Sequence, residues 1–397
     1  MISPEEAWGR IEPLLEALGS ETVDLEGVAG RVLARPLEAM VDVPACRVSA
    51  MDGYALAGGV TPGDERAIAG VIAAGDAPGF ELPAGEAARI MTGAPIPAGA
   101  DTVVPVECSD GGREHVCFTG EIDAGANVRE QGEILSAGAP LLSPGHLLTP
   151  GAIALLTAHG YPRVEVHRLP RVAILATGDE VVPPEVTPAP GQIRDTNTAF
   201  LDAAVRAVGP VPRSLGIAPD RPEAIAAKVA QGLGADVFLI CGGVSMGEYD
   251  YVDRALDEAG CDKLFERVAL QPGKPLVAAR HPGGWVFGLP GNPASVMVCF
   301  WLFVRPLLRS LAGRPDGFWS NARVATLDDP LPGAAARDRI FPAELERQGG
   351  ALRAHPVIPK GSHDVAAFAR GTALIRVRAG APPKSAGEPC EALPIWD

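Results

Sequence analysis

Aromatic residues make up only 5% of this 397-residue chain. Glycine and proline are abundant instead, at 47 and 39 copies. That balance points to many turns and several small domains, and argues against one large aromatic core. Cysteine is scarce and scattered: seven residues, an odd number, with no C-x-x-C pair. A disulfide framework is excluded, and reduced thiols in a cytoplasmic protein are expected. The seven histidines show no H-x-x-x-H spacing, which argues against a structural zinc site. Basic charge is also short. The net charge of −15 argues against general nucleic-acid binding. No apolar run approaches the roughly twenty residues a membrane span needs. The longest, Ala294 to Val304, stops at Arg305-Pro306 and is expected to be a buried core helix. The first residues show no basic-then-apolar pattern of the signal-peptide kind.

The acidic charge is uneven. Residues 314–397 carry 11 basic and 10 acidic side chains, so nearly all the negative charge lies before them. The shift coincides with Gly313-Arg314-Pro315-Asp316-Gly317, which reads as a linker. Ser3-Pro4-Glu5-Glu6 reads as a helix start with a capping box, and apolar Ile11, Leu14, Leu15 and Leu18 extend that helix to Gly19. Thr149-Pro150 starts a second helix that stops at Gly160. Between them, residues 42–133 are rich in turns and short β-like runs. From Arg171 onward, continuous apolar strands (Val172–Ala176, Val237–Ile240, Val286–Leu289) alternate with amphipathic helices, the last running from Pro293 to Leu311 with a kink at Pro306. Such alternation predicts a mostly parallel sheet covered on both faces, with ligands at the C-terminal strand ends. Residues 320–397 lack helical periodicity and predict a small β-barrel or sandwich.

Two glycine-rich signatures sit at those strand ends. One is Cys241-Gly242-Gly243-Val244-Ser245-Met246-Gly247-Glu248-Tyr249-Asp250, and the other is Gly288-Leu289-Pro290-Gly291-Asn292-Pro293-Ala294-Ser295. Each follows a strand and opens a helix, which presents backbone N–H groups to an anion such as phosphate. Acids collect nearby: Asp179 and Glu180 after the first strand, then Asp195, Asp220 and Asp250. Oxygen ligands from several loops suit Mg²⁺ bound jointly with a phosphate. Any one of these acids is equally well explained as a helix cap. Lys274, in Pro272-Gly273-Lys274-Pro275, can present a point charge to an oxyanion. Asp52-Gly53 and Thr92-Gly93 read locally as plain turns.

Taken in order, Ser49-Ala50-Met51-Asp52-Gly53-Tyr54-Ala55, Arg89-Ile90-Met91-Thr92-Gly93-Ala94-Pro95, Asn127-Val128-Arg129, Thr177-Gly178-Asp179-Glu180, Gly242-Gly243-Val244-Ser245, Pro272-Gly273-Lys274-Pro275 and Gly288-Leu289-Pro290-Gly291-Asn292-Pro293 resemble the MoeA family of molybdenum insertases, which includes the gephyrin E domain. The resemblance covers nearly the whole chain and is weakest from residue 320. It implies a multidomain α/β fold. A discontinuous linker domain (1–41 and 134–168) carries an inserted mixed domain (42–133). A three-layer molybdopterin-binding domain (169–313) and a C-terminal β-barrel (314–397) follow. It also implies a homodimer and a reaction that joins molybdate to adenylylated molybdopterin with Mg²⁺-dependent release of AMP. Carried over residue by residue, Gly242, Gly243, Ser245, Gly247, Pro290, Gly291 and Asn292 hold phosphate and pterin. Glu180, Asp220 and Asp250 place Mg²⁺ and water. Lys274, Pro275 and Ser295 hold molybdate. Asp52 and Thr92 act from the partner subunit. A molybdopterin adenylyltransferase and recipient molybdoenzymes are the further partners implied.

Two positions depart from the family pattern. Ile134 follows Gly132-Glu133 where an acid is common, and Gln271 stands where a lysine is common before the Pro-Gly-Lys-Pro turn. Three other readings are therefore weighed beside the insertase: a non-catalytic binding or scaffold paralogue, a tungstate-preferring insertase, and an adenylyltransferase. The last is disfavoured by the inserted domain and the extra C-terminal domain.

Overall fold

The computed structural model describes residues 1–76, 81–243 and 251–396. The chain forms two compact units, one of residues 1–23, 30–34 and 165–397, the other of residues 24–29 and 35–164.

The larger unit is built on a six-stranded sheet. Its strands are β1 (Val172–Thr177), β2 (Arg213–Ala218), β3 (Val237–Cys241), β4 (Asp262–Phe265), β5 (Val277–His281) and β6 (Gly284–Leu289), in the order β2-β1-β3-β6-β5-β4. The first four in that order run parallel, while β5 and β4 are antiparallel additions at one edge. Alternate residues serve opposite faces, as strand geometry requires. Val172, Ile174, Val237, Leu239 and Phe287 join one core with α1 (Pro4–Ile11), α2 (Thr196–Val208) and α5 (Pro293–Leu311). Ala173, Leu175, Phe238, Ile240 and Val286 join a second core with α3 (Pro222–Gly232) and α4 (Tyr251–Glu258). This is the expected three-layer α/β arrangement.

A closed five-stranded barrel completes the unit. Strands β7 (Arg323–Leu327), β8 (Asp338–Gln348), β9 (Ala351–Pro356), β10 (Ala373–Val377) and β11 (Pro389–Pro394) pair in the cycle β8-β9-β7-β11-β10, and β10 returns to β8. The barrel reading holds, with one short helix added, Val365–Arg370, capped by Asp364. The long strand β8 was not foreseen. It carries Pro342 in its middle, and its buried positions include Asp338, which pairs with Arg376 (Nε to Oδ2 2.6 Å). Both features hide an alternating pattern.

Helix boundaries correct the sequence reading in two places. The first helix starts as predicted, with Ser3 accepting from Glu6 N–H at 3.0 Å, but it ends at Ile11. Pro13 cannot donate into an α-helical ladder, and a short 3₁₀ turn over Glu12–Leu14 follows. In α5 the α-helical pattern gives way to a π turn over Phe300–Val304, one turn ahead of Pro306. A proline ring clashes with the carbonyl four residues earlier, so the adjustment falls upstream. Pro293–Leu311 is long and apolar enough to cross a membrane by composition, but 89% of it is buried, as expected of a core helix.

The smaller unit contains a five-stranded sheet formed by Thr102–Pro105, Gly53–Leu56, Ala87–Ile90, Glu65–Ile72 and His115–Cys117, in that order. Its two faces feed separate small cores, one around Ala55, Ile90 and Val103, the other around Tyr54, Val104 and Phe118. Helix Pro150–Ala158 is capped by Thr149, which accepts from Ala152 N–H at 3.2 Å.

Two adjoining cavities at the strand ends

The glycine signatures meet at the C-terminal ends of β1, β3 and β6. Gly242 N–H donates to Leu289 O at 3.2 Å, which ties one signature to the strand leading into the other. Gly242 (φ +90°) and Gly243 (φ +64°) hold left-handed backbone against Thr177. A Cβ at Gly242 would lie 2.9 Å from the Thr177 carbonyl, and one at Gly243 would lie 2.5 Å from Cγ2 of Val252. Only glycine satisfies both demands.

A cavity of about 380 Å³ opens here, lined by Glu180, Asp195, Asp220, Gly242, Gly243 and Pro290 among others. A short parallel ribbon (Val181–Val182 with Ile193–Arg194) frames it. In it, Ile193 N–H donates to Glu180 O at 2.8 Å and Asp195 N–H to Val182 O at 2.8 Å. The Glu180 carboxylate folds over Gly178, where a Cβ would come within 2.5 Å of Oε2. Asp220 N–H donates to Asp179 Oδ1 at 3.2 Å. Burial pushes the Asp220 carboxyl above its ordinary range, and the charges of Glu180 and Asp179 add to that, against the hydrogen bond at Asp179. For Asp195 the plain reading is right in part: its carboxylate caps α2, accepting from Thr198 N–H at 2.9 Å.

A second cavity of about 330 Å³ adjoins the first, and the two share Pro275 and Asn292. Its lining reverses the sign: Lys274, Arg337 and Arg339 contribute, with Gln271, Ser295 and Ser362, and no carboxylate lines it among the described residues. The lysine turn is rigid. Its Lys274 carbonyl accepts from both Val268 N–H and Leu276 N–H at 3.1 Å, and Gly273 (φ +112°) packs against Cys299 Sγ. Arg339 is anchored by the Gly333 carbonyl at 3.0 Å and stacks over Phe341 at 4.7 Å. Ser295 is buried in the first turn of α5, and its N–H donates to Asn292 O at 3.0 Å. Cys241 lines the first cavity and Cys299 packs against Gly273 of the lysine turn; burial pushes both thiols far up, so they stay protonated and inert.

The structure thus gathers Glu180, Asp220, Gly242, Gly243, Pro290, Gly291 and Asn292 around one cavity and Lys274 and Ser295 around the other, with Pro275 between. Ser245, Gly247 and Asp250 lie outside the described residues. Asp52 and Thr92 belong to the smaller unit. There Thr92 donates to Asp52 Oδ1 through its backbone N–H (2.6 Å) and hydroxyl (2.9 Å), which holds that exposed carboxyl below the usual range. Ser362 went unmarked in the sequence. Its signal was the turn Pro359-Lys360-Gly361-Ser362, and Ser362 O accepts from Ala294 N–H at 3.1 Å beside the second cavity.

A doubly covered α/β sheet with a glycine-rich cleft at its strand ends, beside a cation-lined cavity, is an arrangement suited to anionic ligands. Comparison with known proteins makes this specific. Residues 2–160 match the MoeA N-terminal region (domains I and II), residues 173–310 the "probable molybdopterin binding domain", and residues 324–395 the MoeA C-terminal region (domain IV). The chain is 40% identical to the molybdopterin molybdenumtransferase of a Nostoc species, across 87% of this chain and 81% of that one. It is 34% identical to the Bacillus subtilis enzyme of the same name, across 95% and 90%. A solved molybdopterin biosynthesis MoeA protein from a Pyrococcus species superposes with a TM-score of 0.83 at 30% identity, covering both chains completely. The chain belongs to the MoeA family of molybdopterin molybdenumtransferases, transferases of molybdenum-cofactor biosynthesis.

Proposed function

We propose that the protein joins molybdate to adenylylated molybdopterin and releases AMP, with the pterin phosphate in the acid-lined cavity and molybdate in the cation-lined one. The observation that carries this reading is the pair of adjoining cavities of opposite charge sharing Pro275 and Asn292. A dianionic oxyanion favours Lys274, Arg337 and Arg339. A phosphate favours the Gly242-Gly243 backbone beside it. Their shared wall brings the two ligands within reach of one another.

Mg²⁺ belongs to this reading, with Glu180 and Asp220 as its protein ligands. Among the described residues no three carboxylate, thiol or imidazole groups converge tightly enough to hold an ion alone. That suits Mg²⁺, which commonly takes one or two carboxylates and completes its shell with phosphate and water. Burial raises the Asp220 pKa first, and the neighbouring carboxylates of Glu180 and Asp179 add to it; that added negative charge is what a cation would neutralise. Bound there, Mg²⁺ would offset charge on the phosphoanhydride. The homodimer implied by the family stays part of the reading and is checked by sedimentation.

The test is AMP release from adenylylated molybdopterin with Mg²⁺, with and without molybdate, for the wild type and for Lys274→Ala and Arg337→Ala. Molybdate-dependent release that falls at least tenfold in both variants supports the reading. Release that ignores molybdate, or survives both substitutions, overturns it.

A further inference from the structure

Asn197 lines the acid-lined cavity only, in the first turn of α2. Its side chain nevertheless reaches 94 residues along the chain. Nδ2 donates to the Gly291 carbonyl at 2.8 Å. The orientation is unambiguous, because a carbonyl oxygen only accepts, so the amide nitrogen must face it. The opposite end, Oδ1, is sealed from solvent with no partner among the described residues, as is the neighbouring Thr198 hydroxyl. A buried acceptor left unmatched is disfavoured in folded proteins, and such groups concentrate where geometry serves function.

Gly291 is a sensitive point to hold. It sits between Pro290 and Asn292, and Asn292 lines both cavities. The Asn292 carbonyl accepts from Ser295 N–H at 3.0 Å and Val296 N–H at 3.1 Å, which starts α5 and places Ser295 in the cation-lined cavity. Asn292 uses no side-chain cap there, so this helix start is held by its backbone path and by the Ser362 carbonyl, which accepts from Ala294 N–H at 3.1 Å. Gly291 itself has no side chain to wedge it in place, and the nearest atom to a Cβ built on it is Gly242 Cα at 3.9 Å. The Asn197 amide supplies that restraint.

We propose that Asn197 is a positioning residue for the wall between the two cavities, so that its loss is felt by the oxyanion in the cavity it does not line. This rests on the assignment of molybdate to the cation-lined cavity. The test measures molybdate binding to the full chain by calorimetry, for the wild type, Asn197→Ala, Asn197→Asp, Arg206→Ala and Lys274→Ala, with thermal midpoints recorded for each. Asn197→Asp keeps the shape and removes the donor, so it separates a lost restraint from a lost volume. The expected result is about tenfold weaker molybdate binding in both Asn197 variants, the scale of one lost hydrogen bond. Arg206→Ala, an exposed change on the same helix that lines neither cavity, should match the wild type. In turnover, the Asn197 variants should raise KM for molybdate more than they lower kcat. Wild-type molybdate affinity in both Asn197 variants, with Lys274→Ala abolishing binding, overturns the role of Asn197 alone. Failure of the wild type to bind, or of Lys274→Ala to weaken binding, overturns the cavity assignment beneath it. A fall in affinity that merely tracks a fall in thermal midpoint, with kcat and KM moving together, also overturns the positioning role.

Discussion

Removing the Asp236 carboxylate should cost the larger unit about 3 kcal/mol. Asp236 opens β3 at the end of the sheet opposite the site, and its side chain is almost fully buried. It accepts a bidentate pair from Arg168 (2.7 and 2.9 Å). It also accepts from Arg171 through the backbone N–H (2.7 Å), Nε (3.2 Å) and Nη2 (3.2 Å). One carboxylate therefore ties the segment entering β1 to the start of β3. Removing one partner of a buried ion pair typically costs about 3–5 kcal/mol. Arg168 and Arg171 keep 33% and 69% of their side chains exposed and can recover hydration, which selects the low end. For a domain of this order the thermal midpoint should fall about 6–12 °C. The pH dependence has a definite sign. Burial alone would raise this pKa, but the hydrogen bonds from Arg168 and Arg171 outweigh it and hold the carboxyl well below the usual range. The folded value lies below the unfolded one of about 3.9. The contribution is thus complete above about pH 4 and is lost as pH falls below it. Denaturant unfolding of wild type and Asp236→Ala should show a constant gap from pH 5 to 8 that narrows in stronger acid. A gap under about 1 kcal/mol at neutral pH, or one that widens in acid, refutes the argument.

Three further outcomes are expected. Gly243→Ala should destabilise by about 2–4 kcal/mol through left-handed strain and the Val252 clash, and abolish pterin binding, read by denaturation and by titration with molybdopterin. Asp220→Asn should leave the thermal midpoint unchanged or raised without metal, because a carboxyl with a raised folded pKa gives up stability as pH rises through that value; the same variant should lose any Mg²⁺-induced rise in midpoint. Gln271→Lys should tighten molybdate binding by about tenfold, since Gln271 already lines the cation cavity and the new ammonium adds a charged hydrogen bond.

Features governed by local sterics were legible from the chain. The continuous apolar runs became β1, β3 and β6, the Thr149-Pro150 cap became a helix start, and Gly242 and Gly243 fell at the C-terminal end of β3 beside the cavity. Pro13 was the local signal misweighed: apolar spacing suggested a helix to Gly19, but a missing N–H outranks periodicity. The cation-lined cavity was less legible. Arg337 precedes β8 and Arg339 is its second residue, in a strand whose pattern is masked by Pro342 and buried Asp338, and Ser362 comes from a loop. Nothing in sequence spacing joins them to Lys274. Parallel pairing of Leu270–Gln271 with Asp338–Arg339 does, because it lays the lysine turn alongside that strand.

The separation of charge is itself a constraint on function. Glu180 and Asp220 line one cavity while Lys274, Arg337 and Arg339 line its neighbour, and no ion pair joins the two sets among the described residues. The wall between them is uncharged: Pro275 and Asn292 line both cavities, with Pro290 and Gly291 beside them. The first cavity mixes its acids with Arg194, while the second is lined by cations without a carboxylate among the described residues. Preorganised fields of this kind stabilise developing charge without reorganisation during the reaction. A scaffold that merely held a pterin would need the acid-lined cavity and its glycines. It would have no use for Lys274, Arg337 and Arg339 in a second cavity that no carboxylate lines among the described residues, which favours a transferase over a scaffold.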